Sequence, residues 1–406
     1  MERRNFLHAA LTGSAALLVS KAALAESQTE PPLEWIEPET GRRVLRLSRE
    51  AGSASLYFHQ NAYTASGDKL VVTTPKGIST IELKTGKIES VVEGRTGSIV
   101  VGKKTRQVFY IKDGAVWATH LDTRQTREIV RKPELRTGSG LAVNADETLL
   151  GGSFIEGDPQ NAQPPTNTTP GARADNYPGK GQMMEQRLAA RLPMALYTIN
   201  IKSGEVKTFD HCTDWLNHVQ FSPTDPGLMM FCHEGPWHKV DRIWTIRTDG
   251  KADVAPRKMH TRTMEMEIAG HEFFSADGKT VWYDLQTPKG KEFWLAGVDV
   301  ATGKQTRYPV PRAEWSVHFN VAPNGKLFAG DGGGPSSVAA PGNGQWIYLF
   351  TPDNGKLKTE KLVNLAKHDY KLEPNVTFTP DMKWIVFRSN MHGPTHVYAV
   401  EVQAKK

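Results

Sequence analysis

The stretch NHVQFSPTDPGLMMFCHEGPWH, Asn217 to His238, decides the reading of the whole chain. Polar and apolar residues alternate through His218, Val219, Gln220 and Phe221, the chain turns on Ser-Pro-Thr-Asp-Pro-Gly, and a second apolar run climbs from Leu228 to Phe231. Proline presets φ and glycine accepts positive φ, so the pattern is two antiparallel strands joined by a tight turn. In a hairpin the start of the first strand lies beside the end of the second. His218 and the HEGPWH segment therefore share one edge, which gathers His218, His233, Glu234 and His238.

The same pattern recurs in QNAYTASGDKLVV from Gln60, GLAVNADETLLGG from Gly140, HEFFSADGKTVWY from His271, HFNVAPNGKLFAG from His318 and NVTFTPDMKWIVF from Asn375, with a more degraded copy at Ile99 to Tyr110. Each hairpin is followed by a third strand, such as ALYTINI or RIWTIRT, then mostly by a polar turn such as KTGK or KSGE and a short fourth strand. Seven units at a period of roughly 45 to 60 residues predict an all-β, seven-bladed β-propeller, in which four-stranded blades surround a channel. The last unit ends at Val402 after three strands, and a lone strand from Arg42 to Leu47 is expected to complete it and close the ring. The third unit carries an insertion at about 156–193, rich in Pro, Gly and Asn and ending in a helical stretch from Gln182 to Leu192. Its place between two strands marks it as a lid.

The 406 residues, 38% apolar, suffice for one large β domain or two smaller ones. Residues 1–25 read as a twin-arginine export signal: Arg3-Arg4-Asn5-Phe6-Leu7, an apolar run from Ala9 to Val19 too short for a membrane anchor, then a cleavage site after Ala25. That places the mature chain, 26–406, in the periplasm or outside the cell, with no membrane attachment once the signal is removed. The formal net charge of +6 is spread thinly and excludes nucleic acid as a partner, while an anionic small substrate is compatible with it. In an oxidising compartment Cys212 and Cys232, the two cysteines present, are placed to form one disulfide; their spacing argues against a zinc site.

In a propeller the innermost strand begins at the face where the connections between second and third strands emerge. That face collects Gln60, His218, His271, His318 and Asn375, with Glu373 just before the last of them, and then His233, Glu234, His238, Asp331, Arg388 and His392. A histidine at such a place can staple neighbouring blades. His218, His271 and His318, however, begin three consecutive blades, so a radial arrangement aims them at one point. Converging imidazoles with oxygen ligands from Glu373 and Asn375 make a site for a divalent cation of the manganese, zinc or iron type. His233, held to the side by Gly235-Pro236, is the expected general base. Arg388, with Arg173, Lys180 or Arg187 of the insertion, is suited to clamping carboxylates, and His218, His238 and Gln60 to contacting substrate. No G-x-S-x-G elbow, phosphate loop or dinucleotide fingerprint is present.

The strings FSPTDPGLMMFCHEGPWHKVDRIW, GHEFFSADG, HFNVAPNGKLFAGDGGG and PNVTFTPDMKWIVF closely resemble the oligogalacturonate lyase family, polysaccharide lyase family 22, over nearly the whole mature chain from about Leu56. The resemblance implies cleavage of short oligogalacturonates by β-elimination, with a divalent cation, usually manganese, held by histidines and a glutamine, and a histidine as proton abstractor. His271 matches a metal histidine and His233, in CHEGP, the base. Where the family has a Q-x-x-H-x-H run before its final F-T-P-D, this chain has Tyr370, Glu373 and Asn375, so the resemblance implies a divergent member. A metal-dependent hydrolase or isomerase, or a noncatalytic sugar- or peptide-binding propeller, remains open at this level.

Overall fold

Middle strands in this chain are apolar almost without interruption, because both faces of a blade are covered by its neighbours. Met194–Asn200, MALYTIN, is buried at every position but the last, whereas the outer strand Thr126–Arg131, TREIVR, has no fully buried residue. The computed structural model describes residues 30–157, 181–250, 255–334 and 345–403, and the residues from Leu33 on form one compact unit. They make the expected seven-bladed propeller: six sheets of four antiparallel strands and one of five. In chain order the blades span Ala54–Glu93, Ile99–Arg131, Ser139–Cys212, Trp215–Lys258, Ile268–Pro309, Asn320–Asn364 and, last, Thr377–Glu401. The core is distributed between blades. Met230, Ile243, Val281 and Tyr283, for example, are fully buried where the fourth blade meets the fifth.

Closure differs from expectation by one strand. Both Glu34–Ile36 and Arg43–Arg46 join the seventh blade, the second of them pairing with His396–Glu401 through Val44↔Val400 and Arg46↔Tyr398. The buried Arg42 fastens this hairpin by donating to the Val402 carbonyl and pairing with Glu360 at 2.7 Å. An added strand covers an edge that would otherwise expose unpaired backbone groups.

The inner strands hold the feature that positions the site. His218, His271, His318 and Asn375 occupy equivalent places in blades four to seven with φ of 50, 52, 46 and 55°, and Gly140 stands at the same place in blade three with φ 71°. Register shifts at Ser139/Ala142, Asn217/Gln220 and Gly270/Phe273 make these positions β-bulges in blades three to five. Bulges of this kind favour glycine, so a histidine there costs backbone energy and redirects a side chain. In blade one the inner strand is interrupted: Ala54–Ser55 and, as expected of the run from Gln60, Tyr63 both pair with the strand Lys69–Thr74. Between them residues 57–60 form a turn, closed by Gln60 N donating to Tyr57 O at 2.9 Å. Phe58 N donates to Asn375 Oδ1 at 3.1 Å and Asn320 Nδ2 to Phe58 O at 3.3 Å, so the turn crosses the inner ends of blades six and seven and plugs the channel.

Of the insertion, the described part includes the helix α1, Gly181–Ala190; residues 158–180, and with them Arg173 and Lys180, lie outside the described residues. If ring closure depends on the N-terminal hairpin, Val44→Asp, which puts a charge at a fully buried position, should lower the unfolding free energy by about 3 kcal/mol. Urea unfolding would show it, and a change near zero would contradict it.

Candidate metal and catalytic centre

His218 and His271 line one cavity together with Tyr57, Met184, Glu234, Trp237, Arg242, Asp284 and Glu373, and His318 lies against it, its Nε2 3.6 Å from Glu373. Its volume is about 90 Å³. Two imidazoles are oriented by buried carboxylates. His318 Nδ1 donates to Asp331 Oδ2 at 2.8 Å, and His271 Nδ1 lies 2.5 Å from Asp284 Oδ1. The two rings meet edge to face with centroids 4.3 Å apart. Burial pushes the Asp284 carboxyl up to about 8, so one proton serves its contact with His271. Burial opposes charge on His318, but Asp331 outweighs it and the imidazole is raised above its ordinary value.

His318 Nε2 is buried without a hydrogen-bond partner, as is Asp331 Oδ1. Glu373 Oε2 stands 3.6 Å from that nitrogen. An orphaned imidazole nitrogen beside a carboxylate, with a second carboxylate-backed imidazole next to it, is the donor pattern of a divalent cation site with its supporting hydrogen bonds already made. His271, His318 and Glu373 thus fit such an ion. Asn375 does so less well than expected, because its Oδ1 accepts from Phe58 N and its Nδ2 donates to the Glu373 carbonyl at 3.1 Å. Tyr370 is likewise turned away, donating to the Asp331 carbonyl at 3.0 Å.

A second group forms around blade four. His218 Nε2 is 3.7 Å from Glu234 Oε2, which also accepts from Asn217 Nδ2 at 2.6 Å. Arg242 Nε donates to Glu272 Oε2 at 2.8 Å, and its Nη1 is 3.8 Å from Glu234. Burial alone would raise the Glu272 carboxyl; the Arg242 charge overcomes it and holds the group below its ordinary value of 4.5. Tyr57 spans both groups, its ring 5.6 Å from those of His218 and His318, and burial keeps its phenol protonated.

Several expected site residues lie elsewhere. In the strand Leu228–Glu234 successive side chains point to opposite faces, so with Glu234 in the cavity His233 faces blade three. There its Nδ1 donates to Asp214 Oδ2 at 3.0 Å and its ring packs on Trp244, which separates it from the other histidines. Arg388 is no free clamp: its Nε donates to the Glu373 carbonyl at 2.7 Å and Nη1 to Ser55 O at 3.2 Å, and burial lowers its pKa. Gln60 accepts from Tyr57 N through Oε1 and lines the channel beyond the plug. His238 is 3.7 Å from Glu185 of α1, whose other oxygen takes Lys239 at 2.6 Å. Arg187 stacks over Trp215 at 4.4 Å. Both cysteines are free thiols, with Cys212 in an outer strand and Cys232 buried in a middle one, so the expected disulfide is not formed. Tyr57, Arg242, Glu272 and Asp284 had escaped notice; the signal for the last three is an ionisable residue inside an apolar run, as in RIW, GHEFF and VWYDLQ.

The oligogalacturonate lyase family model matches residues 34–405. An oligogalacturonide lyase of Pectobacterium atrosepticum is 26% identical over 393 residues, 89% of this chain and 94% of its own length. An oligogalacturonate lyase of Dickeya dadantii is also 26% identical, over 394 residues, with the same coverage of 89% and 94%. A solved oligogalacturonate lyase in complex with manganese aligns with a TM-score of 0.77 at 24% identity, over 91% of this chain and 96% of the other. The fold and these matches make the protein a polysaccharide lyase built on a seven-bladed propeller. Within that class, the chain belongs to the oligogalacturonate lyase family.

The Arg242–Glu272 pair gives a stability test. Glu272→Gln leaves a buried guanidinium short of one carboxylate and should cost about 3 kcal/mol. Because the Glu272 pKa is depressed, its stabilisation is present above about pH 4.5 and lost as pH falls through the lower folded value. Wild-type stability should therefore fall in that acid window more steeply than that of the variant, and parallel curves from denaturant melts would refute the assignment.

Proposed function

We propose that this protein cleaves short uronic-acid oligosaccharides by β-elimination, with His271, His318 and Glu373 holding a divalent cation, manganese favoured, and His218 as the proton-abstracting base. The observation that carries this is the orphaned His318 Nε2 facing Glu373 beside the carboxylate-backed His271.

Electrostatics supports it. The cavity lining presents the carboxylates of Glu234 and Glu373, with Asp284 sharing a proton with His271, against one guanidinium among the described lining residues, that of Arg242. An anionic uronate would be repelled from such a cavity unless more positive charge were supplied. When bound, a divalent cation supplies that charge and stabilises the enediolate that develops once the C5 proton, α to the carboxylate, is removed. His218 then accepts the C5 proton. It is the cavity imidazole not locked to an aspartate, and Glu234 at 3.7 Å stabilises the imidazolium that results. The C5 electron pair then forms the C4–C5 double bond as the C4–O4 bond breaks, and the departing O4 takes a proton from solvent, leaving a 4,5-unsaturated product. At about 90 Å³ the closed cavity is far below the ~300–1,000 Å³ of ordinary ligand pockets, so a sugar enters by displacing Met184 of α1 and Trp237. We further read residues 1–25 as a twin-arginine signal that exports the enzyme to the periplasm or out of the cell.

The roles separate in kinetics. His218→Ala should lower kcat for unsaturated-uronide formation by roughly 10²- to 10⁴-fold, while His233→Ala stays within about tenfold of wild type; the reverse order would restore His233 as the base. Asp331→Asn, which touches the ion only through His318, should weaken manganese binding about 10- to 100-fold in a calorimetric titration. No unsaturated product from any di- or trigalacturonate with manganese present would sink the lyase reading.

A further inference from the structure

We infer that His218, Cys232 and Glu234 form a second cation site, selective for a thiophilic divalent ion of the zinc or cadmium type. Their ligating atoms all lie within 4.8 Å of one another, and Cys232 and Glu234 are buried. The bulge that begins at Asn217, paired with Cys232, is what sets the His218 ring over the two side chains of the neighbouring strand. An independent observation points to the same place. Glu272, whose carboxylate takes a hydrogen bond from the Cys232 thiol, is 1% exposed. It adds a buried negative charge that a cation would offset.

Charge balance supports occupancy by a doubly charged ion. Glu234, Glu272 and a Cys232 thiolate carry three negative charges; Arg242 carries one positive, and a divalent ion brings the group to neutrality. Without an ion, burial holds the thiol well above its ordinary value, so Sγ keeps its proton. Binding breaks the S–H bond, forms the sulfur–metal bond and releases the proton to solvent, so affinity rises with pH. The sulfur donor sets this site apart from the His271–His318–Glu373 set, whose nitrogen and oxygen donors suit manganese, whereas thiolate selects softer ions. With its Nε2 coordinated, His218 cannot take a proton, so the ion would inhibit turnover; this last consequence alone rests on the lyase reading above.

The test is a cadmium titration of the reduced, full mature protein held in excess manganese, followed by thiolate-to-cadmium absorbance in the near ultraviolet. Wild type and Cys212→Ser should reach an end point at one equivalent, while Cys232→Ser and Cys232→Ala should lack the band and bind cadmium at least about tenfold more weakly. Absence of the band in wild type, or its survival in both Cys232 variants with native circular dichroism, overturns the site. In the same samples cadmium should abolish wild-type turnover at one equivalent and spare Cys232→Ser. A full band with undiminished turnover leaves the metal site standing and removes His218 as the base.

Discussion

Everything at the centre of this propeller depends on a backbone constraint: the positive φ adopted at equivalent inner positions of four consecutive blades. A regular strand would send successive side chains into the two flanking interblade layers, where apolar neighbours wait. Reversing the backbone at His218, His271, His318 and Asn375, with a register shift at the first two, swings the side chain toward the axis instead. Gly140 adopts the same conformation without strain but presents no side chain, which leaves the chemistry to blades four to seven. The strain is sustained because three of the four reversed residues are tied down: His271 by Asp284, His318 by Asp331, and Asn375 by Phe58 and Asp331.

Those ties also sort the histidines. An imidazole fixed through Nδ1 to a buried carboxylate presents Nε2 in a set direction and is a better ligand than a proton carrier. His218 has no such tether and borders a carboxylate across a gap. One repeated bulge thus yields two kinds of imidazole, decided by what the second strand of each blade offers: Asp284 in blade five, the segment ending in Asp331 in blade six, Glu234 in blade four.

The propeller, its seven units and the face that carries the site were all legible, because turn chemistry and repeated hairpins are local properties of the sequence. Convergence of His218, His271 and His318 was legible too, from their equivalent places in successive repeats. What local pattern could not show was which of two adjacent residues at a strand end faces the cavity; hence His233 and Glu234 were grouped together, although alternation along the strand puts them on opposite faces. Asn375 and Arg388 carried the right chemistry, but their hydrogen-bonding capacity is consumed by carbonyl and amide groups of distant segments. The extra closing strand, Glu34–Ile36, is too short to carry a period of its own.

The Tyr57–Gln60 turn has a further consequence in time rather than space. It belongs to the first blade to leave the ribosome, yet its hydrogen bonds run to Asn320 and Asn375, separations of 262 and 317 residues. Glu373 and the backing of His318 likewise await the final two blades. A nascent or truncated chain can stack blades one by one, but it holds no assembled centre until synthesis is all but complete. The cation site proposed above would thereby be complete only in the finished ring.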